Sequence, residues 1–460
     1  MKKVLCIILT LCILFTAAAC TKKDTGGSQD GTQQSGNAPQ QKDIEIYYLN
    51  FKPEVADVYK QIAKDYEQET GVKVKVVTAA SDTYEQTLSS EIAKSNPPTI
   101  FQINGPIGYE SWKNYCTDLK DTKIYSLLSD KSLAITSGDG VYGIPYVIEG
   151  YGIIYNDEIL KKYFSLDNRQ KTFDSVDDIN SFKEFKALVE DMQRLKNELG
   201  IEGVFSSTSF SSGNQWRWNT HLLNVPFHYE MAEEEGFDST TLAGLAAESF
   251  DFKYSDNFKE IFDLYLNNSV TDKKLIGSKS VNDSMAEFAL GKSAMVQNGS
   301  WAYNEINSLD GNKVEAESIK MMPIYTGIGD EENQGICIGT ENYLAINSKV
   351  SEELQKASAD FLYWLFSSER GKKYVSEDLG FVTPFESLED TVFSDPLANQ
   401  VLYWSAKDDV TSIPWAFTSF PGTAFKDETG NALLEYAQGT KSWSDAVKAI
   451  QSSWAKNKTK

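Results

Sequence analysis

Between residues 43 and 50, Ile44, Ile46 and Tyr48 recur at every second position, a period that predicts a strand. Pro53 then opens a helix whose apolar positions, Val55, Val58, Tyr59, Ile62 and Tyr66, fall on one face, and Gly71 stops it. Val72, Val74 and Val76 alternate with Lys73 and Lys75 as a second strand. A helix marked by Tyr84, Leu88 and Ile92 follows, then a third strand over 99–103. Strand, helix, strand, helix, strand with short connections predicts a parallel sheet covered by helices. Ligands of such sheets sit beyond the carboxyl ends of the strands, here Asn50, Phe51 and Lys52, and Asn104, Gly105 and Pro106.

The apolar run over 142–154 reads as a strand pair or one bent strand. Phe182, Phe185, Leu188, Met192, Leu195 and Leu199 stripe a helix over 180–199, and similar stripes predict helices at 257–266 and 281–290. Ala294, Met295 and Val296 read as a strand running into Gln297, Asn298, Gly299, Ser300 and Trp301. Residues 336–346 return as a strand, and Ser351 caps an amphipathic helix carrying Leu354, Ala357, Phe361 and Leu365. Residues 394–460 read as helical with aromatic loops, and no internal repeat is visible.

The first 42 residues follow none of these periods. Lys2 and Lys3 precede an apolar run from Val4 to Phe15, then Thr16, Ala17, Ala18, Ala19 and Cys20. The run is too brief to span a bilayer comfortably, so residues 1–19 read as a signal peptide. Small residues just before a cysteine resemble the lipobox of bacterial lipoproteins, where the thiol is diacylated and becomes the new N-terminus. Ala17 stands where that pattern commonly has leucine, and ordinary signal cleavage with Cys20 incidental is the other account. Residues 20–42 are rich in Gly, Ser, Gln, Thr, Lys and Asp and form a flexible tether, with an r.m.s. reach of about 25 Å.

Composition narrows the chemistry. A chain of 460 residues, 41% of them hydrophobic, supports two or three domains with real cores. Its 66 acidic against 44 basic residues give a net charge of −22, which repels nucleic acid. There are two histidines, His221 and His228, and no HExxH, zinc-spaced cluster or GxxxxGK[ST], so zinc hydrolysis and P-loop chemistry are excluded. Such a chain leans towards binding, and no cofactor is expected. Cys116 and Cys337 remain once the signal and Cys20 are set aside. They either pair in an oxidising compartment or serve as two small buried hydrophobes, the favoured reading.

Three stretches carry a resemblance. They run from Val141 to Asn156 (VYGIPYVIEGYGIIYN), from Ala294 to Trp301 (AMVQNGSW), and from Glu341 to Ser348 (ENYLAINS) with the helix after it. In this order and spacing they resemble the family 1 extracellular solute-binding proteins of ABC importers, the group of maltose-binding and multiple-sugar-binding proteins. The resemblance covers the chain from about Asp43 onwards. It implies an α/β, two-lobed periplasmic-binding-protein-like fold with a hinge and a ligand cleft between the lobes. Carried over, lobe I is 43–147 with 336–378, and lobe II is 148–335 with 379–460. The implied partners are an oligosaccharide and the permease subunits of an ABC transporter. The implied setting is a monomer lipid-anchored on the outer face of a Gram-positive cell membrane.

A sugar offers hydroxyls on its rim and C–H patches on its faces, so its site needs polar side chains and flat aromatics. Asn50 and Lys52 end the first strand, Gln102 and Asn104 end the third, and the resemblance brings these ends to the ligand; turn chemistry is the plainer account. Glu149 interrupts an apolar run at the lobe crossing, where it meets either sugar hydroxyls or a local lysine. Trp301 after its polar turn, and Trp415 in the late aromatic segment, are the implied stacking floor. Trp216 and Trp218 follow a Ser/Gly run, and one of the two should face outwards; Tyr151 and Trp404 are weaker candidates. The adjacent Tyr47 and Tyr48 lie inside a strand, which argues against iron, and helix capping explains Asp174, Asp177 and Asp178 better than calcium does.

Three classes of function stand beside one another. The first is capture of an oligosaccharide for an ABC permease. The same scaffold binding a peptide, polyamine or other small solute is the second. The third is a glycoside hydrolase, which needs two carboxylates about 5–10 Å apart across the bond, and nothing in the sequence marks such a pair.

Overall fold

The structure is a computed structural model that describes residues 44–79, 83–233, 243–389 and 391–458. Residues 1–19 and 20–42, expected as signal peptide and tether, and Cys20 with them, lie outside the described residues. Among the described residues the strands are β1 (Glu45–Asn50), β2 (Lys73–Thr78), β3 (Ile100–Asn104), β4 (Ile135–Ser137), β5 (Gly140–Pro145), β6 (Glu149–Asn156), β7 (Gly203–Phe205), β8 (Ser293–Gly299), β9 (Ile319–Met322), β10 (Gln334–Gly339), β11 (Asn342–Ile346) and β12 (Thr411–Pro414).

They form two six-stranded sheets. The first has the order β2-β1-β3-β11-β5-β4, and β1 runs parallel to both β2 and β3, in register from Glu45 opposite Lys73 to Asn50 opposite Thr78. β11 enters antiparallel to β3 and β5. The second sheet has the order β12-β10-β6-β8-β7, with β9 also paired to β6. The fold is mixed α/β with two lobes, each built on one sheet.

Local chemistry accounts for the first lobe. Pro53 starts the turn Pro53–Val55, the helix Ala56–Thr70 follows, and Gly71 ends it at φ 75°, a left-handed conformation that suits glycine. Tyr59, Ile62 and Tyr66 of that helix pack with Ile46 and Tyr48 of β1. Tyr47 and Leu49 point to the other face, against Tyr84 and Leu88 of the helix Tyr84–Ile92. β1 is therefore buried on both faces, as befits a parallel strand covered by helices on each side. Ser351 caps the helix Glu352–Ser367 by accepting from Leu354 N–H, and Phe361 and Leu365 bury its apolar face on the same lobe.

The chain changes sheet three times. It leaves the first sheet after Pro145 and joins the second at Glu149, so the run over 142–154 is two strands in two sheets. It returns between Gly339 and Asn342: β10 belongs to the second sheet, and Ile336 and Cys337 pack in second-lobe cores. The third change falls between Leu388, packed in the first core, and Leu397, packed in the second lobe. The boundaries expected at 336 and 379 are thus corrected to about 340 and the stretch after 388. An apolar strand pattern does not reveal which sheet will accept it.

Cys116 and Cys337 are both free and buried, in different clusters. Asp178 accepts from the backbone N–H of Asp174 and Ser175 at 2.9 Å each, which is the capping role. No helix among the described residues is long and apolar enough to cross a membrane.

Candidate functional site

The two lobes meet where the first sheet's carboxyl-end loops face the second sheet. The helix Ala302–Asn307 touches the turn Pro53–Val55, and Gly105, at φ 59°, lies against Thr418. A Cβ on Gly105 would stand 2.8 Å from the Thr418 Cβ, so this approach needs glycine.

On the second-lobe side stands a cluster of aromatic rings. Tyr151, in β6, stacks on His221 with centroids 4.3 Å apart and planes 11° from parallel. Trp301 lies 5.4 Å from His221, 5.9 Å from Trp216 and 6.2 Å, edge on, from Trp415. Phe417 closes the group, 5.3 Å from Trp415 and 5.0 Å from His221. Trp301 and Trp216 are partly exposed, whereas Trp415 is buried with its indole N–H unpartnered. Burial holds His221 neutral, well below the ordinary imidazole range. His221 and Phe417 were not foreseen, although Phe417 follows Trp415 at a strand spacing that could have marked it.

Beside the cluster, polar and charged groups from both lobes meet. Lys52 Nζ lies 2.7 Å from a Glu149 carboxylate oxygen and 3.7 Å from Glu54. Burial alone would lower the Lys52 ammonium, but Glu149 and Glu54 outweigh it and hold the group above its ordinary value. Asn104 Nδ2 donates to Glu341 Oε1 at 2.6 Å, and Lys426 of the helix Gly422–Ala437 lies within the field of Glu341 and Glu85. Burial lowers the Lys426 ammonium. Glu54, Glu149, Ser300, Trp301, Asn304 and Asp395 are among the groups lining a crevice with room for about one water molecule. Burial pushes Asp395 up to about 7, and burial followed by Glu54 raises Glu305 to about 7.

Of the nine residues singled out from the sequence, Trp216, Trp301 and Trp415 come together in the aromatic cluster, and Lys52, Glu149 and Asn104 lie among the charged and polar groups where the lobes meet. The other three are engaged within their own surroundings. Asn50 is fully buried, and its side chain accepts from Lys52 N–H and donates to Lys52 O and Thr78 Oγ1, so it builds the turn. Gln102 accepts from Phe51 N–H and donates to Tyr146 Oη, bracing the same loop from below. Trp218 sits in the core, its ring parallel to Phe210 and its indole N–H on Ser209 O at 3.1 Å. Glu149 spends a carboxylate oxygen on Lys52, the ion pair that burial demands. Trp404 is away from the cluster and donates to Met321 O at 3.0 Å.

Comparison with known structures shows the same fold. A chitin oligosaccharide binding protein superimposes with a TM-score of 0.69 at 17% identity, over 90% of this chain and 99% of its own. The solute-binding protein RafE in complex with raffinose gives 0.67 at 20% identity, over 90% and 100%. A sugar transporter protein from Bacillus licheniformis in complex with stachyose gives 0.61 at 18%, over 90% and 100%. A search of curated proteins finds no match. The family and these neighbours consist of binding proteins, not enzymes. The family model for bacterial extracellular solute-binding proteins matches residues 61–403, three-quarters of the sequence, and the chain belongs to that family.

Proposed function

We propose that this protein captures an oligosaccharide between its lobes and delivers it to the permease of an ABC transporter. It acts as a monomer, tethered to the outer face of the cell membrane by lipid on Cys20. The observation that carries the reading is the cluster of Trp216, Trp301, Trp415 and His221 at the meeting of the lobes, with Asn104, Glu341, Lys52 and Glu149 as the polar groups there. Indole faces stack on the C–H patches of a sugar ring, and carboxylates and amides accept and donate along its hydroxyl rim. The neighbours named for chitin oligosaccharide, raffinose and stachyose support the ligand class.

The crevice is too small for a sugar ring while the lobes touch, so entry requires them to part. The ligand then favours closure by its greater affinity for the closed arrangement. A second reading, a small cation such as a polyamine, draws on Glu54, Glu149 and Asp395 around Trp301, with Glu305 close to Glu54. Against it, Lys52 already neutralises Glu149, and the raised Glu305 and Asp395 are only partly charged at neutral pH.

A thermal-shift panel of mono- and oligosaccharides, peptides and spermidine separates the two. A ligand at about 100 Kd adds about 2.7 kcal/mol and lifts the melting temperature. Oligosaccharides should give that rise; a rise with spermidine alone contradicts the sugar reading.

A further inference from the structure

Trp216 and Trp301 come from segments far apart in the sequence, yet their rings lie 5.9 Å apart. What joins the segments is the residue after Trp216 and a residue four before Trp301. Arg217 Nη1 donates to the backbone oxygen of Gln297 at 3.0 Å, and Gln297 Nε2 donates back to the backbone oxygen of Arg217 at 2.7 Å. Arg217 Nη2 also donates to Ser284 Oγ at 2.9 Å and to Ser209 Oγ. Ser284 Oγ donates onward to Ser207 O at 2.7 Å. One guanidinium thereby ties β8, the helix Val281–Ala289 and the loop before Trp216 together.

The choice of side chain needs a reason. Arg217 is fully buried, and no carboxylate lies within ion-pair distance of it among the described residues. The nearby Glu287 is already bonded to Ser207 and Lys279. Burial pushes the guanidinium down to about 10. A buried charge without a charged partner within ion-pair distance is costly, so its retention here points to what its hydrogen bonds hold in place. What arginine alone supplies is a rigid planar fork with donors in fixed directions. Arg217 also opens the π-helical turn Arg217–Leu222, a rare geometry frequently found at functional sites, and this turn carries His221.

We infer that Arg217 and Gln297 form a clasp that sets the spacing and tilt of Trp216 and Trp301 before a ligand arrives. The role is positioning: neither side chain touches the ligand, and the gain is the ordering cost that binding no longer has to meet. The inference rests on Trp216 and Trp301 being the ligand-stacking residues.

The test uses the purified protein, with the indole exciton couplet in circular dichroism as a ligand-free readout. Trp216→Phe first defines the part of the couplet that Trp216 contributes. Gln297→Met should keep a cooperative melt, lose that part of the couplet, and bind the best saccharide from the panel about tenfold more weakly. Arg217→Lys keeps the charge but not the fork and should behave alike; if it does not fold, Gln297→Met decides alone. A Gln297→Met protein that melts lower but retains couplet and affinity overturns the clasp. If no saccharide binds the wild type, the ligand reading fails while the couplet still decides the clasp, so the two failures are distinguishable.

Discussion

Lys52 Nζ lies 2.7 Å from a Glu149 carboxylate oxygen, and the two residues belong to different lobes: Lys52 follows β1, and Glu149 begins β6. Both side chains are nearly inaccessible, at 5% and 6% exposure, so the pair is a desolvated cross-link beside the chain crossing at 146–148. Removing Lys52 leaves the Glu149 and Glu54 carboxylates buried without their counter-charge.

Lys52→Met should therefore destabilise the protein by about 3–5 kcal/mol, and Lys52→Met with Glu149→Leu should recover part of that loss, Glu54 still lacking its lysine. Urea unfolding of the three proteins measures both quantities. A single variant as stable as wild type would show that the lobes do not depend on this pair.

Trp218, packed on Phe210 and bonded to Ser209, should behave as core. Trp218→Ala should cost about 3–5 kcal/mol of folding stability while the remaining folded fraction binds ligand as before. Thermal unfolding and calorimetric affinity on the same samples check this. Lost affinity at unchanged melting temperature would return Trp218 to the site.

Stability should carry a pH signature from Asp395, raised by burial to about 7. In the unfolded chain this carboxyl titrates near its ordinary value of about 3.9, so between these values the folded state holds the extra proton. Its contribution is complete below about pH 4 and is lost as pH rises through about 7. Asp395→Asn keeps a capping side chain for the helix Pro396–Ser405 but cannot titrate. The wild-type unfolding free energy minus that of Asp395→Asn should fall between pH 5 and pH 8, followed by denaturant titration. A flat difference removes Asp395 from the account.

The anchor is tested in cells. Cys20→Ser should release the protein to the medium or leave the precursor uncleaved, as read from fractionated immunoblots. A processed variant that stays on the membrane contradicts lipid attachment.

Much of the first lobe was legible because two periods are punctuated there: Pro53 and Gly71 bracket a helix, and alternating valines follow. The sheet changes were not, because Glu149 finds its partner at Gly339, far along the chain, and nothing local announces it. The helix Gly105–Trp112 was also missed, hidden by the Gly and Pro that read as a loop. At the candidate site, Trp301 and Trp415 were singled out as aromatics following polar or strand-end segments, and their rings lie 6.2 Å apart. Asn50 and Gln102 bond within their own loop, as a polar residue ending a strand can do as readily as meet a ligand. His221 was passed over because a lone histidine carries no motif, and its place comes from stacking on Tyr151.

The central claim is that a sugar is held against Trp301 between the lobes. Calorimetric titration of the best saccharide into wild type and Trp301→Ala tests it most directly, with the unligated melting temperature measured on each. Wild type should bind one equivalent, and Trp301→Ala should melt similarly while losing about 2 kcal/mol or more, roughly thirtyfold in affinity. Equal affinity in the two proteins would contradict the claim.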